Sequence, residues 1–205
     1  MADFSIVRAA RRGFGGLFDA RGRDDRMQFW IYCALVFAPL IVVQMVAQVV
    51  LTFPPLDMLM KAEPNDPQFA QRLFQYQMQG AAKAAFLNIG LFLLGAALLL
   101  TATARRLHDR GRSGWWACVL PPAILVITHS QARRTAAMVE HLPAQLAEMS
   151  RGATVDPTEL MTWAARASAG PDWAAIGCGF VLLLLFVELV RAGTDDSNRF
   201  GAPPD

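Results

Sequence analysis

Charge is scarce in this sequence. Asp, Glu, Lys and Arg make up 18% of its 205 residues and 54% are hydrophobic, against roughly 25% charged in soluble domains, so water is not expected to be its main solvent. Cysteine is limited to Cys33, Cys118 and Cys178, each inside an apolar run. That speaks against a disulfide framework and leaves the thiols as small buried hydrophobes. His129 and His141 have no cysteine or clustered carboxylate at ligand spacing, so neither a metal nor another cofactor is expected. A net charge of +2 is too slight to argue for a nucleic-acid partner. Residues 1–28 lack the continuous apolar stretch of a cleavable signal, so the first long apolar run is expected to act as its own insertion signal.

Long apolar runs are what the chain does have. Segments 29–53, 81–104, 114–128 and 173–190 read as transmembrane helices, since about 20 residues cross the hydrocarbon core. Segment 114–128 is short, carries Pro121-Pro122 and reaches only about 22 Å as a straight α-helix. It spans if extended, and a re-entrant hairpin is the competing reading. The expectation is therefore a single all-α domain over 1–205, a polytopic four-helix transmembrane bundle.

Basic residues give the orientation, because they are retained on the cytoplasmic side. Segments 1–28, 105–113 and 191–205 share one side and hold 12 Lys and Arg, against 6 in 54–80 and 129–172, with Lys83 left out as interfacial. Both termini are expected in the cytoplasm. Short amphipathic helices are expected outside the spans. Phe4, Val7, Phe14 and Phe18 oppose Arg8 and Arg12, although Gly13, Gly15 and Gly16 weaken that helix. Asp66-Pro67 starts a helix bearing Phe69, Leu73 and Tyr76 that can run into the second span. In the inserted outer loop, 129–172, a stripe of Met138, Leu142, Leu146 and Met149 precedes a second start at Asp156, Pro157 and Glu159. These outer helices lie on the bilayer, cover the bundle or bind a partner.

The most informative stretch joins the second and third spans: Arg105-Arg106-Leu107-His108-Asp109-Arg110-Gly111-Arg112-Ser113-Gly114-Trp115-Trp116. Arg21-Gly22-Arg23, with Arg26 and Trp30, precedes the first span, and Asn198-Arg199-Phe200-Gly201 follows the fourth. Arginines here enforce topology, the glycines permit tight turns, and Trp30, Trp115, Trp116 and Trp173 anchor span ends at the interface. All three motifs fall on the basic side, so Asp109 is expected within ion-pair reach of Arg23, Arg26 or Arg199. Glu188 is expected to pair with Arg191 at its helix end and could reach the arginine cluster.

In their order and wording these motifs resemble the DUF805 family of small bacterial inner-membrane proteins. The resemblance covers most of the chain and implies location in the bacterial inner (cytoplasmic) membrane, with no chemistry attached. This chain departs from the family in the long insertion at 129–172 and in the acidic pair Asp24-Asp25.

Three functional readings compete. In the first, a non-enzymatic membrane module uses Arg23, Arg26, Arg105, Arg106, Arg110, Arg112 and Arg199, with His108 and Asp109 among them, to join loops, or to hold anionic phospholipid headgroups or an acidic protein partner. The planar guanidinium fork suits phosphate. In the second, His108 and Asp109 catalyse, but adjacent helical residues point about 100° apart, and no nucleophile, metal cluster or phosphate loop accompanies them. In the third, an oligomeric transporter or channel uses Gln44, Gln48 and Asn88, polar residues inside apolar spans. The first reading, with no enzymatic activity, is the expectation carried forward.

Overall fold

The computed structural model describes residues 6–60, 67–150 and 171–203. They are helical, with no strand among the described residues and one isolated bridge between Asn198 and Gly201. The first helix, α1, is Ile6–Gly15. It lies against α2, Arg26–Thr52, which Asp25 caps by accepting the Gln28 amide at 2.8 Å. A short α3, Leu56–Met60, follows, and α4 runs unbroken from Pro67 to Asp109. The helix expected to start at Pro67 therefore does run straight into the second span.

α4 ends at a stop that glycine provides. Gly111 sits at φ +68°, the Arg112 amide bonds the Leu107 carbonyl, and the Gly111 amide bonds that of His108, both at 2.9 Å. This is a Schellman cap, which needs a left-handed residue at that place.

The third apolar segment is not a short α-helix. Gly114–Val119 is a 3-10 helix, and α5 then continues from Leu120 to Ser150, well past the expected end at Thr128. Pro121 and Pro122 fall in its first turn, where their missing amides cost nothing. The 3-10 stretch rises about 12 Å and the helical part to Ser130 about 17 Å. Together they match α6, Trp173–Val190, whose 18 residues rise about 27 Å. At one end the turn leading into the 3-10 stretch pairs Arg110 with Glu188 at 3.6 Å, and at the other the Ser130 hydroxyl bonds Asp172. The 3-10 stretch adds rise that a straight α-helix of the same residues would lack, and α5 continues as one helix past Thr128. The stripe expected from Met138 to Met149 falls on the α5 backbone, but its side chains lie outside the described residues, as do Phe4 and the start at Asp156, Pro157 and Glu159.

α1 is an amphipathic helix, as expected. Its buried face is Ala9 and Gly13, whereas Val7 and Phe18 are exposed. A Cβ on Gly13 would overlap the Tyr32 ring, so this glycine lets α1 seat on α2.

Polarity is distributed as in no water-soluble domain. Ile41, Met45, Val46 and Val50 of α2 and Phe180, Leu183 and Leu184 of α6 are exposed, whereas Arg23, Asp24, Arg105, Arg106 and Asp109 are buried. Contiguous exposed apolar surface of this extent marks a non-aqueous neighbour. Among the described residues, three segments, Arg26–Met60, Gln75–Asp109 and Trp173–Val190, are long and apolar enough to cross a membrane. The apolar core, built on Phe29, Tyr32, Val36, Leu99, Leu107 and Leu189, lies against the buried charges.

Candidate functional site

The buried charges come from three parts of the chain that meet at one end of the bundle. The last turn of α4 supplies Arg105, Arg106 and Asp109. The α1–α2 connection supplies Arg23 and Asp24, and the tail after α6 supplies backbone carbonyls and Thr194.

Asp109 is the hub. One carboxylate oxygen accepts from Arg23 Nε at 3.0 Å and Nη2 at 2.8 Å, and the other accepts from Arg106. Arg23 also donates through Nη1 to the Asp196 carbonyl at 2.9 Å and the Gly201 carbonyl at 3.3 Å, and through Nη2 to the Thr194 carbonyl. The Thr194 amide in turn bonds the Asp109 carbonyl at 3.0 Å. Gly193 lies so close that a Cβ there would overlap the Asp109 carboxylate. Arg106, with 0% of its surface exposed, donates from Nε to the Leu189 carbonyl at 3.1 Å and from Nη2 to that of Arg191. Those carbonyls end α6, where helix groups lack intrahelical partners and the dipole favours a cation.

Asp24 makes a second, parallel centre. It accepts from Arg105 Nε at 2.7 Å and from Arg12 Nε at 3.2 Å. Arg105 then reaches the end of α1, donating to the Gly16 and Asp19 carbonyls at 2.8 and 2.6 Å. Two consecutive arginines of α4 therefore close the C-terminal ends of two other helices. Three buried arginines face two buried aspartates, and carbonyls accept from most of the remaining guanidinium donors, with Arg105 Nη2 left unpartnered.

His108 and Asp109 point apart. The His108 ring stacks on Phe200, with centroids 3.9 Å apart, and its Nδ1 is 3.3 Å from the Gly22 carbonyl. Asn198 donates to the His108 carbonyl at 3.0 Å. Arg199 covers the Phe200 ring at 4.7 Å and donates to the Gly111 carbonyl at 3.4 Å. Glu188 stands between Arg110, Arg112 and Arg191 at 3.6, 3.5 and 3.7 Å. Arg26 is exposed at the start of α2 and makes no ion pair among the described residues. Of the tryptophans, Trp30 packs between Phe29 and Phe186, while Trp115, Trp116 and Trp173 are exposed.

Gly193 and Thr194 were not singled out by sequence reasoning, and Asp24 and Asn198 were named there as motif residues without a contact. Asp24 carried a usable signal, because a motif that buries several arginines needs carboxylates and the sequence offers few nearby. Gly193 carried none, since its role depends on where the tail folds back.

A separate polar crevice of about 170 Å³ collects Gln44, Gln48, Asn88, Thr128, Gln131 and Thr135 from α2, α4 and α5, with no charged side chain in its lining. Among the described residues, no group of three His, Cys, Asp or Glu is placed to hold a metal.

The family model DUF805, described as a protein of unknown function, matches residues 17–202. No curated protein matches the chain, and no solved structure does.

Proposed function

The chain belongs to the DUF805 family, and from that premise we propose that it is a non-enzymatic membrane module whose basic end rests on anionic phospholipid headgroups at the cytoplasmic face of a bacterial inner membrane. The observation that carries this reading is a division among the arginines. Arg23, Arg105 and Arg106 are buried and compensated internally, so they build the end of the bundle. Arg11, Arg21, Arg26, Arg112, Arg191 and Arg199 are exposed around it, and outnumber the exposed carboxylates Asp19, Asp195 and Asp196.

The pairs of Arg112 and Arg191 with Glu188 are long and partly exposed. Pairs of that kind contribute roughly 0–1 kcal/mol, so these guanidinium groups remain free to engage phosphate. Exposed Phe18, Trp115 and Trp116 at the same end suit the headgroup layer, where an apolar ring with a polar edge is favoured. Four crossings follow if the 3-10 stretch and the first part of α5 traverse the bilayer beside α6, as their matched length favours.

Native mass spectrometry after gentle extraction from membranes of mixed phosphatidylglycerol and phosphatidylethanolamine tests the reading. Retained phosphatidylglycerol is expected. Each basic residue near an anionic surface contributes about 1 kcal/mol, so Arg26→Gln, Arg112→Gln and Arg199→Gln together should weaken retention by about two orders of magnitude at low salt. Equal retention of both lipids would overturn the proposal, as would a stoichiometric co-purifying protein in place of lipid.

A further inference from the structure

We propose that a pocket beside His108 binds an uncharged, apolar molecule carrying a hydroxyl group, of the alkylphenol class. The pocket has a volume of about 440 Å³ and is walled by Leu100, Ala104, Trp115 and Phe200, with Thr101 and His108 as its polar groups on α4. That size and lining suit a small-molecule site: a mainly apolar wall with a few convergent polar groups. No charged side chain lines it, so it is separate in chemistry from the headgroup surface proposed above.

Thr101 and His108 are seven residues apart, which puts them on one face of α4 about 10 Å apart along its axis. Each offers an unmet hydrogen bond. The Gly22 carbonyl can only accept, so the proton of a neutral His108 ring sits on Nδ1, 3.3 Å away, and Nε2 presents a bare lone pair. No carboxylate pairs with the ring, and an imidazole without one is mainly neutral at pH 7.5. Nε2 lies over Gly114, where a Cβ would come within 2.7 Å of it; glycine keeps the approach open. Thr101 Oγ1 is buried with no partner, whereas Thr52, Thr128 and Thr135 give their hydroxyls to carbonyls of their own helices. A buried polar group left unpaired is unfavourable. A ligand must therefore donate a hydrogen bond at Nε2 and present an apolar ring to Trp115 and Phe200.

Equilibrium dialysis of the full chain in nanodiscs against 4-hexylphenol and its methyl ether, 4-hexylanisole, tests this, with empty nanodiscs subtracting bilayer partition. One saturable phenol site is expected, with the ether at least about tenfold weaker for want of the donor. Gly114→Ala should close the approach and weaken phenol binding by a similar factor. His108→Phe, which keeps an aromatic ring against Phe200, should bring the phenol down to the affinity of the ether. Should Gly114→Ala fail to fold, the His108→Phe comparison decides alone. Equal affinities for phenol and ether, an unchanged phenol affinity in His108→Phe, or no saturable component above the empty nanodisc would each overturn the proposal.

Discussion

Replacing Asp109 by asparagine changes almost no volume and removes one charge, which makes it the sharpest probe of the buried lattice. In the wild type the carboxylate accepts two bonds from Arg23 and one from Arg106, and all three side chains are at least 95% buried. Asparagine can accept at one atom only, and its amide nitrogen would face guanidinium donors. Two buried cations would then share a site with no counter-charge. Removing one partner from a buried pair costs about 3–5 kcal/mol, and both arginines lose theirs here, so Asp109→Asn should lie at the upper end of that range. Equilibrium unfolding in mild detergent measures it, with Arg112→Gln as control. Arg112 is 59% exposed, and its loss should shift stability by no more than about 0.5 kcal/mol. Adding Arg23→Gln to Asp109→Asn should recover part of the loss, because one stranded cation goes with it. A change below about 1 kcal/mol for Asp109→Asn, or no recovery in the double variant, would refute the view that these charges hold the three segments together.

Other outcomes follow from the same geometry. Arg106→Ala should cost about 3–5 kcal/mol by taking one of the two cations from Asp109 and uncapping α6, whereas His108→Gln should stay within about 1 kcal/mol of wild type; equal tolerance in thermal unfolding would sink the distinction. Gly193→Ala puts a Cβ into the Asp109 carboxylate and should cost about 1–3 kcal/mol, with faster proteolysis of the tail; an unaffected tail would contradict the close approach. The Ser130 hydroxyl, and then the Ala175 amide, hold the Asp172 carboxyl below its ordinary value. A depressed folded-state value means that its stabilisation is present above the ordinary carboxylate range and is lost as pH falls through the depressed value. Ser130→Ala should move that titration upward when followed by NMR of labelled aspartate, and an unmoved titration would rule out the bond.

The meeting of Arg23 with Asp109 was legible in the sequence because only topology was needed: motifs on one side of a small bundle end within a helix diameter or two of each other. The run of α4 from Pro67 was legible for a local reason, a cap and a proline at a helix start. Burial was not. An arginine in a basic loop reads the same whether it points at solvent or closes a helix end, so joining loops and holding headgroups both stayed open for Arg105 and Arg106 until their carbonyl partners were placed. The contact face of α1 was not legible either: the small residues Ala9 and Gly13 make the protein contact, and Val7 and Phe18 are left to the surroundings. The third segment could not be read for length, because a 3-10 stretch changes the rise per residue without changing composition.

The membrane arrangement is the claim on which the rest depends, and side-specific cysteine labelling tests it most directly. On a background with Cys33, Cys118 and Cys178 replaced, Gln131→Cys sits at the end of the bundle where Ser130 meets Asp172, and Ser197→Cys sits in the tail beside the arginine lattice. In intact spheroplasts an impermeant thiol reagent should label Gln131→Cys and should reach Ser197→Cys only after the membrane is opened. Labelling of Ser197→Cys from outside, or of both positions from the same side, would contradict it.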